Sequence, residues 1–133
     1  MVDIVVTVAN VDWVSGPKET RDAAVTITAG QCLYAVSSTT LGLCDRTDAA
    51  KDVCVGIALN DATAGHPCTY AKSGAVVGFG AVLTAGLEYC VSDAGGFSLV
   101  ADLAQNDYCS YLGHGLTTSN LQLVIKNTGV IVA

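Results

Sequence analysis

Basic residues never gather along this 133-residue chain: Lys18, Arg21, Arg46, Lys51, Lys72 and Lys126 stand singly. Twelve Asp and Glu outnumber them, for a net charge of −6. A protein that grips nucleic acid directly needs a cationic stripe to neutralise phosphates, so no direct nucleic-acid partner is expected. Long apolar runs are missing too. The best candidate, GAVVGFGAVLTAG at 74–86, is interrupted by glycines and falls short of the roughly 18 residues a membrane-crossing helix needs. No membrane partner is expected. The first residues, MVDIVVTVANVD, carry Asp3 and Asp12 and no basic stretch, unlike a secretory signal, so synthesis and residence in a cytoplasm are expected.

Patterns that would carry chemistry are equally scarce. No cysteine pair has C-x-x-C spacing among Cys32, Cys44, Cys54, Cys68, Cys90 and Cys109, which removes local support for a zinc or redox motif. Several of them occupy slots where a strand would take valine, as in DVCVGIAL and LEYCVS. They read as reduced, buried thiols packing as small hydrophobes. His66 (AGHP) and His114 (LGHGL) lie in glycine settings without a nucleophile or acid in a usable pattern. GFG at 78–80 and GHG at 113–115 are too short for a dinucleotide fingerprint. The acids Asp45, Asp48 and Asp52 lack the spacing and the closing glutamate of a calcium loop. No catalytic residue, metal or cofactor is expected, and the chain does not read as an enzyme.

What is present is strand grammar. Half of the residues are hydrophobic, only 14% are charged and fourteen are glycine, which suits a compact core with many tight turns. Val2, Ile4, Val6 and Val8 alternate at the start. Leu121, Leu123 and Ile125 alternate near the end, before an NTG turn and a final VIVA. Turn clusters at 15–17, 37–40, 73–74 and 93–96 punctuate the chain at short intervals. Only 45–52 and 101–107 read as single helical turns. The expected fold is all-β, a small barrel or sandwich. Residues 9–24 read as a polar loop or arm holding Pro17 and the lone Trp13. The division is therefore 1–24, an N-terminal strand and extended arm, and 25–133, a β-barrel domain.

That domain repeats itself. Ile27-Thr28-Ala29-Gly30 matches Leu83-Thr84-Ala85-Gly86 at an offset of 56 (27 to 83). Tyr34, Val36 and Ser37 match Tyr89, Val91 and Ser92 at 55 (34 to 89), Gly56 matches Gly113, and Lys72 falls opposite Lys126. Two similar units, about 25–80 and 81–133, are expected to close on each other as one pseudo-twofold barrel, which would remove exposed sheet edges. Gly30 and Gly86 are expected to be structural turn glycines.

The run ITAGQCLY, then VCVGIALNDATAGHPCTYAKSGAVVGFGAVLTAG, then YLGHGLTTSNLQL resembles the head-decoration or capsid cement proteins of tailed bacteriophages, over roughly residues 10–130. The resemblance implies a β-rich protein, often trimeric, that sits on the outer surface of an icosahedral virion, binds the major capsid protein and ties capsomers together. It supplies no catalytic residues, and the cysteine content departs from the valine- and alanine-rich version. In that role Val2, Ile4, Val6, Trp13, Val14 and Pro17 are the candidate capsid or subunit contacts. A trimeric β-structured phage fibre or receptor-binding module is the alternative.

Overall fold

The computed structural model describes residues 4–46, 48, 51, 53–92, 95–100 and 108–131, with the backbone alone at 108, 109 and 127–131. The β-branched and small apolar residues that alternate along the sequence form eleven strands among these residues, with a short 3₁₀ turn at Val8–Asn10. They are β1 (Asp12–Ser15), β2 (Lys18–Ala23), β3 (Cys32–Ala35), β4 (Thr40–Leu43), β5 (Cys54–Ala58), β6 (Pro67–Ala71), β7 (Val76–Gly78), β8 (Glu88–Val91), β9 (Phe97–Leu99), β10 (Tyr108–Gly115) and β11 (Asn120–Ile131). β2-β4-β3-β5-β6 close into a five-stranded barrel, and β1-β7-β11-β10-β8-β9 form an open six-stranded sheet.

The two sheets are one plan built twice. β3 pairs with β4 and β5, and β8 pairs with β9 and β10. β6 lies between β5 and β2, and β11 lies between β10 and β7. Hydrogen bonds repeat with the strands. Gly30 N–H donates to Ala58 O and Gly86 N–H to Gly115 O, both at 2.8 Å. Ala58 N–H returns to Gln31 O (2.9 Å) as Gly115 N–H returns to Leu87 O (3.0 Å). Even the irregularity recurs. Leu33 faces Gly56 but Tyr34 faces Cys54, so Val55 is extra; Tyr89 faces Gly113 but Cys90 faces Tyr111, so Leu112 is extra. Such a one-residue bulge bends the strand and re-aims the side chain beyond it. Gly56 and Gly113 sit beside these bulges because an added Cβ would strike the carbonyl oxygens of Ala71 and Gln122 on the facing strands.

The units do not close on each other as expected. The first closes alone, because β2 also pairs in parallel with β4 at Asp22–Thr40 and Ala23–Leu41. The second stays open, and β1 adds to its edge through β7. The matched tyrosines are not structural equivalents either: Tyr89 corresponds to Leu33 and Cys90 to Tyr34, so the offset stays at 56 (33 to 89). Lys72 and Lys126 are likewise out of step, since Ala71, facing Ile57, corresponds to Gln122, facing His114. The β10–β11 loop is shorter than the β5–β6 loop, which absorbs the difference.

Two cores follow from the alternation. Ala23, Ile27, Leu33, Leu41, Ala58 and Tyr70 fill the barrel. Ile57, Ala71 and Cys32 point from the barrel wall the other way. There they join Val77, Phe79, Tyr89, Phe97 and Leu121 between the barrel and the open sheet. Phe97 centres that layer, 5.1 Å from Phe79 and 5.9 Å edge-on from Tyr89. Each such fully buried side chain contributes about 1.5–3 kcal/mol of apolar burial. A backbone ring ties the layers together. Cys32 N–H donates to Gly95 O (2.6 Å), Gly95 N–H to Cys44 O (2.7 Å) and Cys44 N–H to Cys32 O (3.0 Å).

Three local expectations change. Residues 4–7 are extended but not a strand: Ile4 and Val6 pack on the larger core, and Ile4 N–H donates to Phe97 O at 2.9 Å. The polar stretch 9–24 is not a loop but holds β1 and β2, whose exposed faces explain its polarity. The NTG segment does not turn; β11 runs through it, with Ser110 facing Asn127 and Cys109 facing Val130, so Thr128 and Gly129 are a bulge. The expected helical turn at 101–107 lies outside the described residues.

Candidate binding surface

Among the described residues no three His, Cys, Asp or Glu side chains converge as metal ligands, and no helix is long and apolar enough to cross a membrane. His66 is exposed, with Nδ1 2.6 Å from Thr63 Oγ1. His114 lies in β10 opposite Gln122 and Glu88, at the place Ile57 takes in the first unit. Asp48 N–H donates to Asp45 O at 3.3 Å, and Asp52, like Thr47, Ala49 and Ala50 of the expected helical turn, lies outside the described residues.

The candidate contact residues fall into three places. Val2 lies outside the described residues. Ile4 and Val6 are half-buried against the chain's own core, while Val5 between them is 81% exposed. Trp13 and Val14 are on β1, every residue of which is exposed. Among the described residues β1 pairs with β7 alone, so its outer edge carries backbone groups with no ladder partner there. Trp13 is held in place rather than loose: Nε1–H donates to Gly16 O (3.3 Å), and Lys18 Nζ stands 4.1 Å from the ring centroid. Pro17 lies exposed between β1 and β2, its carbonyl accepting from Lys72 N–H at 3.0 Å. Gly30 and Gly86 have φ of +93° and +82° in equivalent turns, the region that favours glycine.

Two surface features had no signal in the sequence. Val25, Tyr34, Val36 and Leu43 come from separate segments to line a depression of about 320 Å³ on the barrel, with Thr26, Asp45 and Lys51 at its polar side. On another part of the barrel wall Glu19 accepts from Tyr70 Oη–H (3.0 Å) and pairs with Lys72 (3.2 Å), while Arg21 lies over the Tyr70 ring. The bond to Lys72, then that to Tyr70, holds the Glu19 carboxyl below its ordinary value. Burial and, next, the Glu19 hydrogen bond push the Tyr70 hydroxyl up to about 12. Register made this cluster, because β2 and β6 place Glu19 opposite Tyr70.

No protein-family model matches the chain, and no curated protein matches it. Two features of the described surface stand out: an exposed sheet edge with an anchored Trp, and a depression on the barrel lined in part by Val25 and Val36.

Proposed function

We propose that this protein decorates the outside of a tailed-phage capsid and stabilises the shell by binding its major capsid protein, acting as a homotrimer. The observation that carries the reading is β1: an exposed sheet edge bearing Trp13 and Val14, with Trp13 fixed by Gly16 and Lys18. Anchored Trp side chains dominate interface energies, and an open edge adds main-chain hydrogen bonds on docking. The sequence resemblance supplies the class of partner. A decorating protein that binds only the assembled shell stabilises it by mass action, and many copies on one particle act together.

Removing the whole N-terminal arm would also remove β1 and part of β2, so point variants test the reading more cleanly. Purified protein is sedimented with empty expanded capsids. Trp13→Ala is expected to weaken occupancy at least about tenfold while leaving the melting temperature nearly unchanged. Capsids that bind neither protein, together with capture of the wild type on a glycan array, would instead favour the fibre or receptor-binding alternative.

A further inference from the structure

The barrel wall carries a group of thiols that capsid docking does not use. Cys32 opens β3, Cys44 follows β4 and Cys54 opens β5; all three are buried, at 0%, 0% and 2% exposure. Strand β3 lies between β4 and β5, so the three side chains come from neighbouring strands. The bulge at Val55 decides their grouping. Without it Tyr34 would face Val55, and Cys54 would point into the barrel; with it Cys54 faces Tyr34, on the same side as Cys32. All three belong to the core layer between the sheets, whereas Val55 packs in the barrel. The Gly95 backbone ring fixes Cys32 and Cys44 relative to each other.

Cys54 differs from its neighbours in access. It lines a surface cavity of about 310 Å³ whose other walls include Glu19, Arg21, Tyr70 and Lys72. As a thiol it donates to Gly56 O at 3.6 Å. Hydrogen bonds from Cys32, then Cys44, hold its titration well below the ordinary thiol range despite burial. Cys68, inside the barrel, shows the contrary environment: burial, then the Asp61 charge, pushes it up to about 11. The thiolate is the reactive form, so these surroundings favour Cys54 over Cys68.

We propose that Cys54 is a peroxide-sensitive thiol whose oxidation is captured as a disulfide by the adjoining Cys32 or Cys44. A small hydroperoxide enters through the Glu19–Lys72 cavity. The Cys54 sulfur attacks the terminal oxygen, the O–O bond breaks, and the products are Cys54 sulfenic acid and an alcohol, or water from hydrogen peroxide. The neighbouring thiol then attacks the sulfenic sulfur, displacing hydroxide, which leaves as water with the thiol's proton. Two thiols lose two electrons and the peroxide gains them. The new bond staples β5 to the β3–β4 hairpin.

Trypsin reports the outcome directly, because Cys32 and Cys44 lie in peptide 22–46 and Cys54 in peptide 52–72. Folded protein is treated with hydrogen peroxide, remaining thiols are alkylated under denaturing conditions, and the digest is mapped by mass spectrometry. The expected product is peptide 22–46 joined to 52–72, lighter by two hydrogens than the pair. It should form in Cys68→Ser, which removes the other cysteine of 52–72, and be absent in Cys54→Ser and Cys54→Ala. The oxidised protein should melt at a higher temperature than the reduced one. A cross-link that persists in both Cys54 variants, or peroxide consumed first by Cys68 or Cys90, would overturn the proposal. So would a lower melting temperature on oxidation.

Discussion

A single carbon atom separates the two turn glycines in consequence. A Cβ on Gly30 would lie 2.8 Å from Val6 Cγ1 and 3.1 Å from Val11 Cγ2, whereas a Cβ on Gly86 would meet nothing within 4 Å. Both carry the left-handed backbone cost of about 1–2 kcal/mol for a residue with a side chain. Gly30→Val adds a clash with the segment that Ile4 and Val6 anchor, and should destabilise by more than about 2 kcal/mol. Gly86→Ala should cost only about 1 kcal/mol. Calorimetry separates them, since 1 kcal/mol corresponds to roughly 4 °C at this size. Tyr70 gives a pH test. Its folded value lies near 12, above an ordinary value of about 10. The unfolded chain therefore sheds that proton first, and the stability Tyr70 contributes is present below pH ~10 and lost as pH rises towards 12. Tyr70→Phe should be less stable by about 1 kcal/mol at neutral pH. That gap should shrink between pH ~10 and ~12 in denaturant titrations; a constant gap would mean that Tyr70 does not titrate there.

Elements show what the sequence discloses and where it stops. The all-β class and the turns at 15–17, 37–40 and 73–74 were legible because glycines with positive φ and clustered turn residues mark chain reversals locally. Register was not. An extra Val55 or Leu112 looks like any other apolar residue, yet it shifts every following pair by one. Residues 9–24 misled for a related reason: β1 is exposed along its whole length and β2 on alternate residues, so neither shows the apolar alternation of a half-buried strand over a core. The candidate surface was half visible. Trp13 and Val14 stand out by type, but the Val25–Val36 depression and the Glu19–Tyr70 cluster exist only once distant strands pair. The edge position of β1 also predicts its dynamics. Among backbone amides, those of β1 should exchange with deuterium far faster than those of β3 and β5, which are flanked by partners on both sides. Equal protection measured by NMR would show that β1 is covered in solution.

Across the whole molecule, the same strand order produces a closed barrel once and an open sheet once. Packing between them supplies the common core, with Tyr89 and Phe97 of the open sheet, and Phe79 just after β7, set against Ile57 and Ala71 of the barrel. The sheet that stays open accepts β1 along one side; the sheet that closes has no side to offer. Closure itself depends on very little. The parallel contact of β2 with β4 spans only Asp22–Ala23 against Thr40–Leu41, flanked by Asp22 N–H donating to Thr39 O (3.0 Å) and Ala24 N–H to Leu41 O (2.8 Å). Under mechanical load such a short parallel latch is where the ring would part first, becoming for an instant a sheet like its sibling.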